Sequence, residues 1–466
     1  MALDEFSIPS AVCEKLKELG YETANPMAPH IAQWYSWYTN DNDFYKVKYI
    51  STARKRKERR RYSLRPARKV CREWASLVLN EETKVSVGNA SANAWLADYL
   101  DKTGFWLTGQ MGIERSFALG TGALVLWYDV EEDVVTDIKI RRYDARMIVP
   151  LTWDDDGVTE CAFVTRVTVR GKRYDQVQLH VLDAGTDTYH IRTFVFRDDK
   201  EVDAEVLGFI ADFDTEQKHK TFGIVKPGLD NVVADNSPFG ISVFHDAIDS
   251  IKATDLAWDS IFQEVDLTRV RVFLADSMLD LEDQDGKKVP IADLEDQVYR
   301  MIYSGNDDKL IEVFSPDIRI GPLKESLNIA LAELGDNAGF GEQYFQIGKT
   351  GGLKTATEVV SDNSALMRNV RKHENSVGNA IRDVITGLLS SASSLDYASF
   401  EGDAGPVAIE FDDSIITDTQ TEKQLMLNEI SAGVVPAWKY LTTFYGMSKE
   451  EAMEAVSEGE VIDTGF

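Results

Sequence analysis

Apolar positions recur along the 466-residue chain with two different periods, and the places where the period changes divide it. Residues 1 to about 115 read as mostly helical, with aromatic-rich "IAQWYSWYTNDNDFYKVKYI" and amphipathic "SANAWLADYLDKTGFWLTGQMGIERSFALG" on either side of a basic run. Pro66 suits a first helical position, and Val70, Trp74 and Leu77 behind it form an apolar stripe. From Thr121 the pattern becomes β-rich: "ALVLWYDV", "VVTDIKIRRY", "CAFVTRVTV", "VQLHVLD" and "YHIRTFVF". The separators "DDDG", "RGKR" and "DAGTD" are turn chemistry, so an antiparallel sheet of hairpins is expected.

After "NSPFGIS" the period returns to helical, with Phe244, Ile248, Ile251, Trp258, Phe262 and Val265 marking one side from Val243 to about Thr268. Asp255 interrupts that side, and Asp246, Asp249, Asp255 and Asp259 spread around the rest. "RVRVFLADSML" alternates as a strand and opens a compact, acidic, turn-rich insertion that ends in another strand. A helix over 323–346 follows, carried by Leu323, Leu327, Ala330, Leu331, Leu334 and Ala338, and then a Gly-rich loop. The steady seam Val359, Leu366, Val370, Val377, Ile381, Val384, Leu388 predicts one long helix from about Thr355 to Ser390, roughly 50 Å at 1.5 Å per residue. The strand "PVAIEF" and two or three short helices from Thr419 to Gly459 complete an α+β chain.

With 44% hydrophobic and 10% aromatic residues, the composition is that of a folded chain with a sizeable core and two to four domains. The start, "MALDEFSIPS", lacks a secretion pattern, and no apolar run approaches the roughly 18 to 20 residues that cross a bilayer. No membrane partner is expected. Cys13, Cys71 and Cys161, odd in number and far apart, read as reduced packing residues. The 50 Lys and Arg against 78 Asp and Glu leave a formal charge of −28, which opposes general attraction to a polyanion and excludes a conventional sequence-reading DNA binder. One stretch departs from that balance: Arg54 to Arg72 holds eleven bases and one acid, Glu58. It suits phosphate, a solvated helix face, or, through Arg59, Arg60 and Arg61, an acidic neighbouring subunit.

Searches for catalytic chemistry return little. The six histidines include no His-x-x-x-His pair and the cysteines no zinc spacing, so neither a metal nor a catalytic set is assigned. No Gly-x-Ser-x-Gly elbow is present. Asp154–Gly157 and Asp283–Gly286 lack the glutamate that completes a calcium loop and read as hairpin turns. Gly120-Thr121-Gly122 leads into a strand where a dinucleotide motif needs a helix, and reads as a turn. Gly348-Lys349-Thr350 has Gln343 where a phosphate loop needs its first glycine, and helical spacing where that loop needs a strand. No cofactor follows from it.

Four segments carry a resemblance: "CREWASLVLNEETKVSV" (71–87), "SPFGISVFHDAIDSIKATDLAWDSIFQEV" (237–265), "GLKTATEVVSDNSALMRNVRKHENSVGNAI" (352–381) and "DSIITDTQTEKQLMLNEISAGVVPAWKYLTTFYGMSKEEA" (413–452). They cover about a quarter of the chain. In wording and order they resemble the portal proteins of tailed bacteriophages, specifically those of phages infecting Gram-positive bacteria.

The resemblance implies a non-enzymatic virion protein, assembled in the host cytoplasm into a ring, usually dodecameric, at one capsid vertex. Double-stranded DNA would pass through it without sequence specificity during packaging and ejection. The terminase packaging motor, the major capsid and scaffolding proteins, and neck or adaptor proteins would be its partners. It also implies a partition: 1–238 wing, 239–268 stem helix, 269–321 clip, 322–346 second stem helix, 347–354 tunnel loop, 355–418 long wing helix and returning strand, 419–466 crown. Lys349, Thr350, Lys354 and Thr355 would then face DNA from the tunnel loop, with Asp246, Asp249, Asp255 and Asp259 on an acidic stem helix. A different class remains open: a nucleotide- or metal-dependent enzyme acting on nucleic acid, with Lys349 and Thr350 as a degenerate phosphate loop.

Overall fold

The computed structural model describes residues 7–50, 56–132, 134–275, 280–282, 288–290, 298–301, 311–347, 356–398, 400, 402–411, 419–445 and 447–457. Helices and mostly antiparallel strands alternate in blocks, an α+β chain, and fall into two compact units. One comprises Met1–Ala32, Cys71–Val243 and Thr350–Phe466; the other comprises Gln33–Val70 and Phe244–Lys349.

The first unit is built on two sheets. Lys200–Val202, Thr188–Arg197, Lys172–Asp183, Gly157–Val169 and Ile148–Asp154 pair antiparallel in that order, and Asp212–Asp214 adds to Thr188–Arg197. Phe222–Val225, Gly122–Glu131 and Val134–Asp144 form a second, three-stranded sheet. The five β-rich blocks of the sequence thus become strands, joined at the expected turns. Successive side chains of a strand point to opposite faces. Val164, Val177, Leu179 and Val181 accordingly pack under Ala11, Val12 and Leu16 of helix Ser10–Glu18, while Cys161 and Phe163 meet Ala123, Val125, Tyr143 and Phe222 of the smaller sheet.

Two helices precede these sheets. Asn89 caps Ala90–Thr103 by accepting from the Ser91 and Ala92 amides, and Phe105–Leu119 ends at Gly120, whose φ of 79° confirms the turn expected there. The long helix runs Ala356–Ser394, 39 residues or about 58 Å. Its seam is closed: Val370, Val377, Ile381, Val384 and Leu388 have no exposed surface. It lies unusually close to its neighbours. A Cβ on Gly223 would stand 1.9 Å from the Ala380 carbonyl oxygen, and one on Gly387 2.2 Å from that of Lys220. Strand Val407–Glu410 returns to pair with Lys84–Val87, and Thr419–Ser431, Trp438–Tyr445 and Lys449–Ser457 are the short terminal helices.

The second unit differs more from expectation. The stretch expected to be helical throughout contains a hairpin, Lys46–Ile50 with Arg56–Arg60, so the first part of the basic run is strand and helix begins only at Pro66. Helix Ile248–Leu267 starts five residues later than the pattern suggested, because 243–247 form turns. It packs against Ile320–Asn337. That helix stops nine residues short of 346: the amides of Gly339 and Phe340 close back onto the Asp336 and Gly335 carbonyls. Phe340, Tyr344 and Phe345 then stack on one another. Between these helices, Arg271–Ala275 pairs parallel with Val298–Met301 and antiparallel with Ile311–Phe314.

Candidate functional site

The helix Ile248–Leu267 buries a polar face. Ile251 is the one large apolar residue among its fully covered positions, which otherwise include Ser250, Thr254, Asp255, Asp259 and Glu264. Trp258 and Phe262 stay half-buried, and Val265 is exposed. The apolar stripe read from the sequence is therefore only partly the packed one. Buried carboxylates require donors, and the segment 40–65 supplies them. Asp255 accepts from the Tyr45 hydroxyl (2.7 Å), the Ser63 hydroxyl (2.7 Å) and the Leu64 amide (2.8 Å). Asp259 accepts from both Arg59 Nη atoms (2.8 and 2.7 Å) and from the Tyr62 amide (3.1 Å).

These two carboxylates, one turn apart, titrate in opposite directions. Burial raises both, and for Asp255, which receives only neutral donors and feels the Asp259 charge, the upward push prevails. For Asp259 the Arg59 guanidinium and the Tyr62 amide outweigh burial and hold the carboxyl below its ordinary value. Tyr45, buried and facing Asp255, is pushed well above the usual phenol range. At the far end of the helix, Glu264 accepts from Arg319 Nε and Nη2, both at 2.9 Å.

The four helix aspartates therefore divide into two pairs. Asp246 and Asp249 are exposed, with 75% and 93% of their side-chain surface accessible, and Asp249 meets only Lys252. Asp255 and Asp259 do not belong to an acidic surface, because both are consumed in packing. The basic run changes in the same way. Arg59 holds Asp259, Arg60 donates to the Asn40 carbonyl (2.5 Å), and Arg61 donates to the Phe44 carbonyl (2.8 Å) and lies over its ring. The acidic partner anticipated on a neighbouring subunit is, for Arg59, in its own chain.

Lys349, Thr350, Lys354 and Thr355 lie outside the described residues. What leads to them, helix Ile320–Asn337 and its aromatic turn, is not the strand that precedes a phosphate loop. Among the described residues, no cluster of three His, Cys, Asp or Glu has the arrangement of a metal site. No described helix is long and apolar enough to cross a membrane. Cys71 and Cys161 are buried, which pushes both thiols up, and Cys13 is partly covered.

A family model described as "Phage portal protein, SPP1 Gp6-like" matches residues 24–460. The chain is thus a structural protein of the bacteriophage head–tail connector. Within that class it belongs to the SPP1 Gp6-like phage portal protein family. Among solved structures, it is similar to a chain of the neck of a native GTA particle computed with C12 symmetry. That likeness has 11% identity and a TM-score of 0.40, over 88% of this chain and 92% of the other. No curated protein matches.

Proposed function

We propose that twelve copies of this chain close into a ring at one capsid vertex and enclose the channel through which double-stranded DNA is packaged and ejected. The ring would also dock the terminase motor, the capsid and scaffolding proteins, and the neck proteins. The observation that carries this reading is the family match over residues 24–460. Two features of the chain support it. With a formal charge of −28, and with Asp246 and Asp249 free at the surface, the protein repels a phosphate backbone. Strong neutralisation by Lys and Arg would instead release counterions and hold the DNA. The paired helices of the second unit also leave Leu256, Val265 and Ile329 exposed, apolar surface of the kind that subunit contacts cover.

In this reading 347–354 is the tunnel loop, and Lys349 and Lys354, with Thr350 and Thr355, make weak phosphate contacts with passing DNA. Exposed loop lysines contribute little to stability. Lys349→Ala and Lys354→Ala are therefore expected to leave folding and assembly intact and to change packaging into procapsids modestly; the double change to Glu impairs it more. ATP binding by the isolated wild type that disappears in Lys349→Ala would overturn the channel reading in favour of the enzyme.

A further inference from the structure

Beyond the apolar cluster that joins the two sheets of the first unit, the sheets part around a cleft of about 440 Å³. Trp127 and Asp129 line it from the smaller sheet, and Gln176, Gln178, Ile191 and Thr193 from the larger, with 208–213 as a side wall. In register, Gln176 stands opposite Thr165 and Val195, and Gln178 opposite Phe163 and Thr193. A strand face that carries Phe163 and Val195 would bury apolar side chains at these positions too. Instead it buries amides.

Those amides have no partner. Gln176 has no exposed surface, and neither its Oε1 nor its Nε2 is hydrogen-bonded; the Oε1 of Gln178 is buried and equally unbonded. A buried amide left unpaired costs about 1–3 kcal/mol per group, whereas an apolar side chain of the same shape would cost nothing comparable. The fold gains nothing from Gln176 that leucine would not supply. Above the floor the cleft is stiff and apolar: Arg141 lies 3.5 Å over the Trp127 ring, the indole N–H donates to Asp129 Oδ1 at 2.8 Å, and Phe209 and Phe213 close the side. A group that enters it must therefore bring both a donor and an acceptor for the floor and an apolar neighbour for the walls. A peptide segment does so. The terminal torsion of a glutamine is broad and soft, so the floor amide turns to meet the incoming group without backbone change.

We propose that this cleft is a binding site for a peptide segment of a partner protein, whose backbone or side-chain amide pairs with Gln176 and Gln178 while its adjoining apolar side chain packs on Trp127, Phe209 and Phe213. The inference stands on the cleft alone and does not rest on the ring.

The test uses the full-length chain with N-acetyl-asparagine N-methylamide as probe, which carries both kinds of amide, and reads binding by calorimetry and thermal unfolding. The wild type is expected to bind it saturably, and Gln176→Leu to lose roughly tenfold or more in affinity. Without probe, Gln176→Leu should unfold at the wild-type temperature or above it, because the amide it removes has no partner in the fold. Absence of binding by the wild type, or unchanged affinity in Gln176→Leu, would overturn the proposal. So would a lowered unfolding temperature of that variant, which would show that the amide is satisfied by the fold and its buried water.

Discussion

Arg59 grips Asp259 with both terminal nitrogens, at 2.8 and 2.7 Å, across 200 residues of sequence and within a single chain. Only 4% of the Asp259 side-chain surface is exposed, so the pair is largely desolvated. Removing one partner leaves a buried charge uncompensated. Arg59→Ala is therefore expected to lower stability by about 3 kcal/mol. Asp259→Asn should lower it by less, because the amide still accepts. A double-mutant cycle in urea checks the coupling, which should be well above 1 kcal/mol, the upper range for an exposed pair. Because Arg60 and Arg61 also hold their own unit together, replacing all three by Glu tests folding before it tests any contact between subunits.

The same pair shows what sequence could and could not yield. The strands from Gly122 to Arg197 were readable, because one face of each is apolar and the Asp- and Gly-rich turns between them are local signals. The long helix was readable from its unbroken seam, and its end was placed four residues early. Asp255 and Asp259 were misread as surface because their donors, Tyr45, Ser63 and Arg59, are separated from them by about 200 residues. The hairpin Lys46–Ile50 with Arg56–Arg60 was missed because a run of Arg and Lys carries no strand pattern; contacts of Arg59 and Arg61, not β-propensity, hold it. Helix Ile320–Asn337 outran its real end in the reading because Ala338 continues the apolar spacing past the point where Gly339 and Phe340 turn the chain. Gln176, on a strand of otherwise regular pattern, gave no signal beyond being polar where its neighbours are not.

Acid should destabilise the first unit through two histidines. Burial pushes His180 down to about 3, and burial, with the Lys372 charge, pushes His373 down to about 4. Both are therefore neutral in the fold while the unfolded chain titrates near 6.5. The unfolded state then binds more protons, and their contribution is complete above about pH 6.5 and declines as pH falls toward 4 and 3, by up to ~1.4 kcal/mol per unit for each histidine. For His373, protonation also breaks the hydrogen bond that Nδ1 accepts from the Gly228 amide at 2.9 Å. Urea denaturation at pH 7 and pH 5 should show the loss, and His373→Asn should reduce the difference between the two.

Close backbone contact along the long helix makes two glycines sensitive. In Gly223→Ala the new methyl would meet the Ala380 carbonyl, and in Gly387→Ala that of Lys220, both backbone atoms that cannot rotate away. Each substitution is expected to cost about 1–3 kcal/mol or more. Gly171→Ala has open space around its Cβ but a φ of 77°, so it pays only backbone strain, of the order of 1 kcal/mol. Thermal unfolding of the three variants should rank Gly171→Ala as the mildest.

Assembly is the central claim, and one image tests it most directly: negative-stain electron microscopy of the purified full-length chain, together with its mass in solution. Closed rings with a central hole wide enough for duplex DNA, and a mass that is a fixed multiple of the 52.3 kDa subunit, are the expected result. A stable monomer at every concentration and salt tried, also when co-expressed with the capsid and scaffolding proteins, would contradict it.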